Sequence, residues 1–535
     1  MAEKSELWKT ITRPYRIVRK ELRLKLAKWS GVPIGKPAAP AETKPLSDYL
    51  TPIINFKNNY PVNSIRIDGH FLWPMLRGEL YVQAVIASAR QKRNRGPFNP
   101  HQTQLCSPEY ISYDMIEEYR RYRGMKSAAD LPAKSIDFLF FVNLNSVDLN
   151  ETENGFYNRL TDPIYRAACK IGTAEKIEII KASSPGVFKR EKYVYPATAI
   201  VPEYVSETGN FNRAEYPNDL TARLNKSIPF MQFTSEQICT WVDWQIHMMN
   251  FFKRILEKYA PKVVFCHPYY YYAPLILAAR QMGIRVVDLQ HGMMAGENTL
   301  SYDNWQEIPP EGYHALPDYF WVWGQQEYNR LWDVFDSGKP NRPRPIVGGY
   351  PWIDMSQEIS PPDAVSQLDR ELARFPHKRK VLVTLQIFAE LPPVIRELIN
   401  RTQDEVLWIV RHHPKTRTKL SPKQFGSNVH ISDAADSIVL SSLFPKVDLH
   451  FSETSTSVIE ADYFGVYNYI CSEGGLANYG NYIKAGLAGY CTNDNVAEII
   501  QEIREGAIFD KKPRLNYINQ IEIGDVLTEL RDGKP

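Results

Sequence analysis

An apolar run at residues 406–410 breaks off into Arg411-His-His-Pro-Lys-Thr-Arg417, which gathers cations, imidazoles and a chain-bending proline at one point. Guanidinium, ammonium and imidazole at the end of a strand are what holding an anion requires, and Arg411, His413, Pro414 and Lys415 are the candidate contacts. Alternate residues of an extended segment face opposite sides, so His413 accompanies Arg411 while His412 points elsewhere. A second apolar run, 448–451, leads into Ser452-Glu-Thr-Ser-Thr-Ser457 and then into a helical segment. Hydroxyls at a helix start cap exposed N–H groups, and the same donors receive phosphate, which nominates Ser452, Thr454, Ser455, Thr456 and Ser457. Cys471-Ser-Glu-Gly-Gly475 adds a flexible, glycine-bearing loop. Such a set suits a nucleotide mono- or diphosphate.

A different chemistry is offered upstream by Val286-Val-Asp-Leu-Gln-His-Gly292. His291 is a candidate general base, because an imidazole titrating near pH 6.5 is half available at neutrality. Asp288 is in reach to orient it, and Gln290 and Gly292 flank it. His267, at the end of the run 263–266, and Tyr269 in the tyrosine run that follows add contacts, the rings being suited to stacking on a sugar or base. Further upstream, Ser64-Ile-Arg-Ile-Asp-Gly-His70 places Asp68 and His70 in a strand-to-helix loop, with Arg77 one turn into the next helix.

The elements that must position these groups alternate. After the capping-box-like Thr234-Ser-Glu-Gln237 comes a long amphipathic helix, then strands at 263–266, 285–289, 319–323 and 346–347 separated by helices at 274–282 and 325–335. Past a polar connector the alternation resumes, with strands at 380–385, 406–410, 429–432, 448–451 and 467–471 and helices at 393–400, 437–444, 457–464 and 496–504. Two βαβ arrays predict an α/β chain of two Rossmann-like parallel-sheet domains facing across a cleft, with site loops at the carboxyl edges. The expected boundaries are 1–35 for a basic amphipathic helix, 36–60 for a linker, 61–353 and 378–505 for the two domains, 354–377 for their connector, and 506–535 for a tail.

The net charge of +3 conceals an uneven distribution. Residues 1–40 carry ten Lys/Arg against three Glu, a local charge of +7, so the other 495 residues sum to −4. A nucleic-acid partner is not expected, since its binder carries basic charge on the folded body. Within the arm Ile11, Tyr15, Val18, Leu22, Leu26 and Trp29 recur at helical spacing, and Trp8 and Trp29 close its ends. Residues 8–29 therefore suit an anionic membrane surface, the competing reading being a helix packed on the body. No stretch of about 18 consecutive apolar residues spans a membrane. The six cysteines lack metal-like spacing, which points to a reduced, cytoplasmic setting and no metal site. Neither G-x-G-x-x-G nor a Walker A lysine is present, so nicotinamide and P-loop chemistries are not indicated.

The order Asp288-Leu-Gln-His-Gly292, Trp321-Val-Trp-Gly324, Gly348-Gly-Tyr-Pro-Trp-Ile-Asp354, Arg411-His-His-Pro414 and Ser452-Glu-Thr-Ser-Thr-Ser-Val-Ile-Glu460 resembles bacterial surface-polysaccharide glycosyltransferases of the GT-B fold. The resemblance implies an N-terminal acceptor domain and a C-terminal donor domain. It implies metal-independent transfer, with no cofactor beyond a nucleotide-sugar donor, to a capsule, lipopolysaccharide or related glycan on an oligosaccharide or lipid-linked acceptor. The place of action would be the inner face of the cytoplasmic membrane. By likeness to the CMP-sugar-dependent sialyl and Kdo transferases, His413, Pro414 and Ser455 to Ser457 would hold the nucleotide, with Glu460 in the same motif. By likeness to the CDP-polyol phosphotransferases, Arg411 and His413 would contact phosphate and His291 would be the base, Asp68 remaining the alternative. Polyol-phosphate transfer, sugar-nucleotide epimerisation and a non-catalytic role as a polysaccharide-export scaffold are the rival readings.

Overall fold

The computed structural model describes residues 46–92, 126–142, 149–152, 154–179, 193–200, 213–294, 299–305, 307–356, 359–386, 390–414, 416, 419–510 and 517–533. The basic helix expected at 1–35 lies outside them. By internal contacts the chain divides into Met1–Lys44 with Ala89–Pro97, and Pro45–Ser88 with Phe98–Pro535; both large sheets belong to the latter.

The strands of the first half are β1 (Arg66–Ile67), β2 (His70–Phe71), β3 (Phe138–Val142), β4 (Leu149–Thr152), β5 (Gly155–Asn158), β6 (Ala174–Ile179), β7 (Thr198–Ile200), β8 (Val263–Cys266), β9 (Arg285–Leu289), β10 (Tyr319–Val322) and β11 (Arg344–Val347). The second half adds β12 (Arg379–Thr384), β13 (Val406–Arg411), β14 (Val429–His430), β15 (Leu449–Ser452), β16 (Tyr467–Ile470) and β17 (Gly489–Tyr490). β1–β2 and β4–β5 are antiparallel hairpins. The rest form two parallel sheets, ordered β11-β10-β9-β8-β3-β6-β7 and β14-β13-β12-β15-β16-β17. These are the two Rossmann-like halves expected from the sequence. The central strands β3, β8 and β13 are nearly continuous apolar runs because both faces of a parallel sheet are covered.

Each strand order reverses once. In the first sheet the reversal falls between β3 and β8, and in the second between β12 and β15, which are the points where open α/β sheets admit ligands. Register makes the second point explicit: Thr384 pairs with Arg411 on one side and Ser452 on the other, and Ser452 pairs with Ile470. Arg411, Thr384, Ser452 and Ile470 thus form one row, and the loops after β13, β15 and β16 leave the same edge.

Three segment boundaries differ from expectation. Residues 47–59, inside the expected linker, form the helix Ser47–Asn59, which buries Tyr49, Leu50, Ile53 and Phe56. Their helical spacing outweighs the proline-rich composition preceding them. The expected connector holds the helix Pro362–Leu372, whose Leu368 and Leu372 enter the core beneath β12 and β13. The tail is not peripheral either. Tyr517 is fully buried, and the helix Ile523–Asp532 returns to the first half, setting Leu527 and Leu530 against Phe138, Phe140, Phe265 and Trp321. Leu530→Ala should therefore lower unfolding free energy by about 2–5 kcal/mol, as a core truncation does and a frayed tail does not, read from the urea midpoint.

Candidate functional site

The floor of the second switch point is a closed polar cluster. Thr384 Oγ1 lies 2.9 Å from His450 Nε2 and 3.1 Å from both Ser452 Oγ and Ser457 Oγ. His450 Nδ1 meets Asn468 Oδ1 at 2.7 Å, and the Asn468 amide donates to the Val458 and Val466 carbonyls, which fixes its orientation. Nδ1 therefore carries the proton, and Nε2 faces the Thr384 hydroxyl, which donates to Ser452 Oγ. Burial drives the His450 pKa down to about 4, against the smaller upward pull of the Asn468 bond, so the ring is neutral at physiological pH.

On this floor stands Arg411. Burial pulls its pKa down to about 10 despite the attraction of Asp436 and Glu460, and its Nη1 is buried with no hydrogen-bond partner among the described residues. His412 turns the other way, as alternation requires: it is buried, with Nδ1 3.0 Å from Asp436 Oδ2 and Nε2 accepting from the Leu420 N–H at 2.9 Å. His413 is half-buried and Pro414 exposed just beyond, and Lys415 lies outside the described residues.

The hydroxyls of the 452–457 loop divide into two groups. Ser452 and Ser457 are buried in the Thr384 cluster, and Ser455 Oγ accepts from the Ser457 N–H at 3.2 Å. Thr454 and Thr456 instead line a cavity. The helix Ser457–Tyr463 is seven residues long and no side chain of its N-cap residue Thr456 closes it, so its dipole is a small part of any anion binding. The third loop is instead the start of a helix. Ser472 caps the helix Glu473–Lys484 through the Gly475 N–H at 3.0 Å and donates to the Glu453 carbonyl at 3.1 Å. A Cβ at Gly475 would sit 1.9 Å from that carbonyl, which is why glycine is there.

From the first half the His-Gly loop meets this wall. A cavity of about 300 Å³ is bounded by His291, Gly292 and Met293 on one side, Thr454, Thr456 and Asn478 on another, and Leu46, Tyr81 and Val85. Gly292 is so close to the second half that a Cβ there would lie 3.2 Å from Thr456 Cγ2. Gln290 braces the loop rather than facing the cavity: it is buried, donates to the Gly292 carbonyl at 2.9 Å and accepts from the Trp323 N–H at 2.7 Å. Asp288 does not orient His291. Its carboxyl, pushed well above the usual range by burial, accepts from the Tyr269 N–H and the Tyr302 hydroxyl. His267 is 1 % exposed, its ring 6.4 Å from that of His291 and nearly parallel to it. Tyr269 is buried with its hydroxyl on the Ser301 carbonyl, so it stacks on no ligand.

Three upstream candidates are not brought to this cavity. Asp68 sits at the exposed tip of the β1–β2 hairpin with φ +49°, its N–H on Glu215. His70 is 3.1 Å from Gln281 Nε2 and edge-on to His314. Arg77 is buried, donates to the carbonyls of Leu300, Asp303 and Asn304, and lies over the Trp305 ring. It anchors residues 300–305, a structural task.

Glu460 is buried one turn into its helix, its carboxyl pushed up by burial against the pull of Arg159 and Arg411. Arg159, Thr384, His450 and Asn468 escape the sequence reading. Histidine in the middle of the apolar strand 449–452 is the signal that could have found the cluster. No such mark accompanies Arg159, which lies in a stretch without period.

No protein-family model matches the chain, and no curated protein does. Among solved structures it is similar to a UDP-N-acetylglucosamine 2-epimerase from Listeria monocytogenes described as putative, at 13% identity over 75% of this chain and 96% of that one, TM-score 0.46. It is also similar to the UDP-GlcNAc 2-epimerase of Neisseria meningitidis bound to UDP-GlcNAc, 13% identical over 74% and 99%, TM-score 0.44. The glycosyltransferase SnogD from Streptomyces nogalater is 14% identical over 75% and 99%, TM-score 0.37. At these values the likenesses carry no argument about activity.

Because His450 and His267 both sit near pKa 4 when folded and near 6.5 when unfolded, the unfolded chain binds more protons between those values. Their contribution is whole above about pH 6.5 and falls as pH drops toward 4, by roughly 3 kcal/mol per histidine. His450→Gln should flatten this acid slope by about one histidine's share, measured by urea unfolding across that range.

Proposed function

We propose that the chain is a glycosyltransferase that moves a sugar from a nucleotide-activated donor to a growing surface glycan of the capsule or lipopolysaccharide kind, without a metal. The single observation that carries the reading is Arg411: a half-buried arginine whose Nη1 is out of water and unpartnered among the described residues, in the row of residues at the second sheet's switch point. A cation fixed in a low-dielectric site stabilises the negative charge that develops on a departing nucleotide phosphate. His413 and Pro414 extend that wall, and Thr454, Thr456 and Glu460 belong to the donor side. His291, across the cavity from Thr456, deprotonates the acceptor hydroxyl; Asp68, exposed at a hairpin tip away from the cavity, is not the base. The +7 arm holds the enzyme on an anionic cytoplasmic membrane surface, where lipid-linked acceptors lie.

Purified protein is incubated with CMP-, CDP-, UDP- and GDP-linked sugars and with CDP-polyols, with and without lipid-linked acceptor, and nucleotide release is measured. Acceptor-dependent release from a sugar nucleotide is expected. Release from CDP-polyols alone would move the assignment to polyol-phosphate transfer, and binding without turnover of any donor to a scaffold. Arg411→Gln should lower turnover by about 10²- to 10³-fold, as loss of one charge-stabilising donor does. His291→Ala should lower kcat by about 10²- to 10⁴-fold while leaving donor affinity unchanged. Removing residues 1–35 should abolish sedimentation with anionic liposomes and spare turnover on soluble acceptors.

A further inference from the structure

Arg159 follows β5 and precedes the helix Asp162–Ile171, so it lies on the connection that leaves the carboxyl end of β3, one of the two strands flanking the first sheet's switch point. Its guanidinium reaches out of its own half. Nη1 lies 3.6 Å from Glu460 Oε1, on the helix that follows the second sheet's switch point, and 3.3 Å from the Tyr350 hydroxyl. The first contact is an ion pair too long for a hydrogen bond and the second is a stretched bond.

The surroundings call for an acceptor. Glu460 stands between two guanidiniums, Arg159 from the first half and Arg411 from the second, and Arg411 is drawn to Asp436 as well. Arg411 Nη1 is buried without an acceptor. His267, which follows β8 on the other side of the first switch point, is 1 % exposed with Nε2 likewise unpartnered, and the Arg159 charge acts on it. Two cations from opposite halves thus share Glu460, and Arg411 and His267 each bring a nitrogen without a partner among the described residues. A phosphate oxygen answers that pattern, because it accepts several charge-assisted bonds at once and a guanidinium fork matches it bidentately.

We infer that Arg159 is the first half's ligand for the phosphate of the nucleotide donor, passing from Glu460 and Tyr350 to the phosphate when the donor binds. The inference rests on the donor site proposed for Arg411. It makes one anion the shared ligand of two arginines from opposite halves.

The test is titration calorimetry of the full chain with CMP, CDP, UDP and GDP and with the parent nucleosides, for wild type, Arg159→Gln and Arg159→Lys. The nucleotide that wild type binds best should bind Arg159→Gln about ten- to a hundredfold more weakly, the worth of a hydrogen-bonded charge, with nucleoside affinity unchanged. Its affinity should also fall less steeply with added salt than that of wild type. A folded Arg159→Gln that binds the nucleotide as wild type does overturns the inference and leaves the Arg411 site standing. If Gln at 159 prevents folding, Arg159→Lys decides: loss of nucleotide affinity without loss of nucleoside affinity supports the role, and equal affinity for both overturns it. Wild type binding no nucleotide overturns the donor site and this role together.

Discussion

Burying a threonine, two serines, an asparagine and a histidine at the end of a parallel sheet is unfavourable unless their donors find acceptors, and the carboxyl edge of the second sheet stands on such a set. Thr384 is at its centre. It ends the strand that neighbours both β13 and β15, so its hydroxyl lies under the crevice between them. Asn468 fixes which nitrogen of His450 carries the proton, His450 Nε2 faces the Thr384 hydroxyl, and Thr384 holds Ser452 and Ser457 in place. Leaving one of these groups unsatisfied costs about 1–3 kcal/mol, so the cluster holds one arrangement. The backbone of Arg411 and the start of the helix bearing Glu460 inherit that precision.

The two halves meet through an apolar seam and a few polar contacts. Tyr157, Met293, Trp323 and Tyr350 of the first half pack with Val458, Ile459, Ile470 and Tyr479 of the second, and Trp323 stacks on Tyr350 with ring centres 4.0 Å apart. Apolar contact of this kind holds surfaces together without fixing a single geometry. The ion pair between Arg159 and Glu460 adds a charged contact to this seam, with both groups largely out of water.

The fold was legible where hydrophobic periodicity was continuous. β9 matches its predicted span, and β12, β13, β15 and β16 agree within two residues, because a fully buried parallel strand reads as an unbroken apolar run. The common edge of the three second-half loops was legible for the same reason. What the side chains do there was less so. Ser452, Thr454 and Ser457 are alike as letters, yet two are buried bonds and one lines a cavity, a distinction made by which strand stands next door. Asp68, His70 and Arg77 had the composition of a site, but Arg77 meets backbone carbonyls more than 220 residues away, which no local pattern encodes. Arg159 went unnoticed because its partner is on a strand-following helix of the other half.

The tail that returns to the first sheet has a consequence for biosynthesis. Arg531 donates to the carbonyl of Ile171, 360 residues earlier, and Leu527 and Leu530 cover aromatic side chains of β3, β8 and β10. A chain emerging from the ribosome in order completes the strands of its first sheet long before the helix that seals them exists. During that interval Phe138, Phe140, Phe265 and Trp321 present an uncovered aromatic face, the kind of surface that chaperones bind and that aggregates when they do not. The half that is translated first therefore cannot complete its core until the last helix has been made.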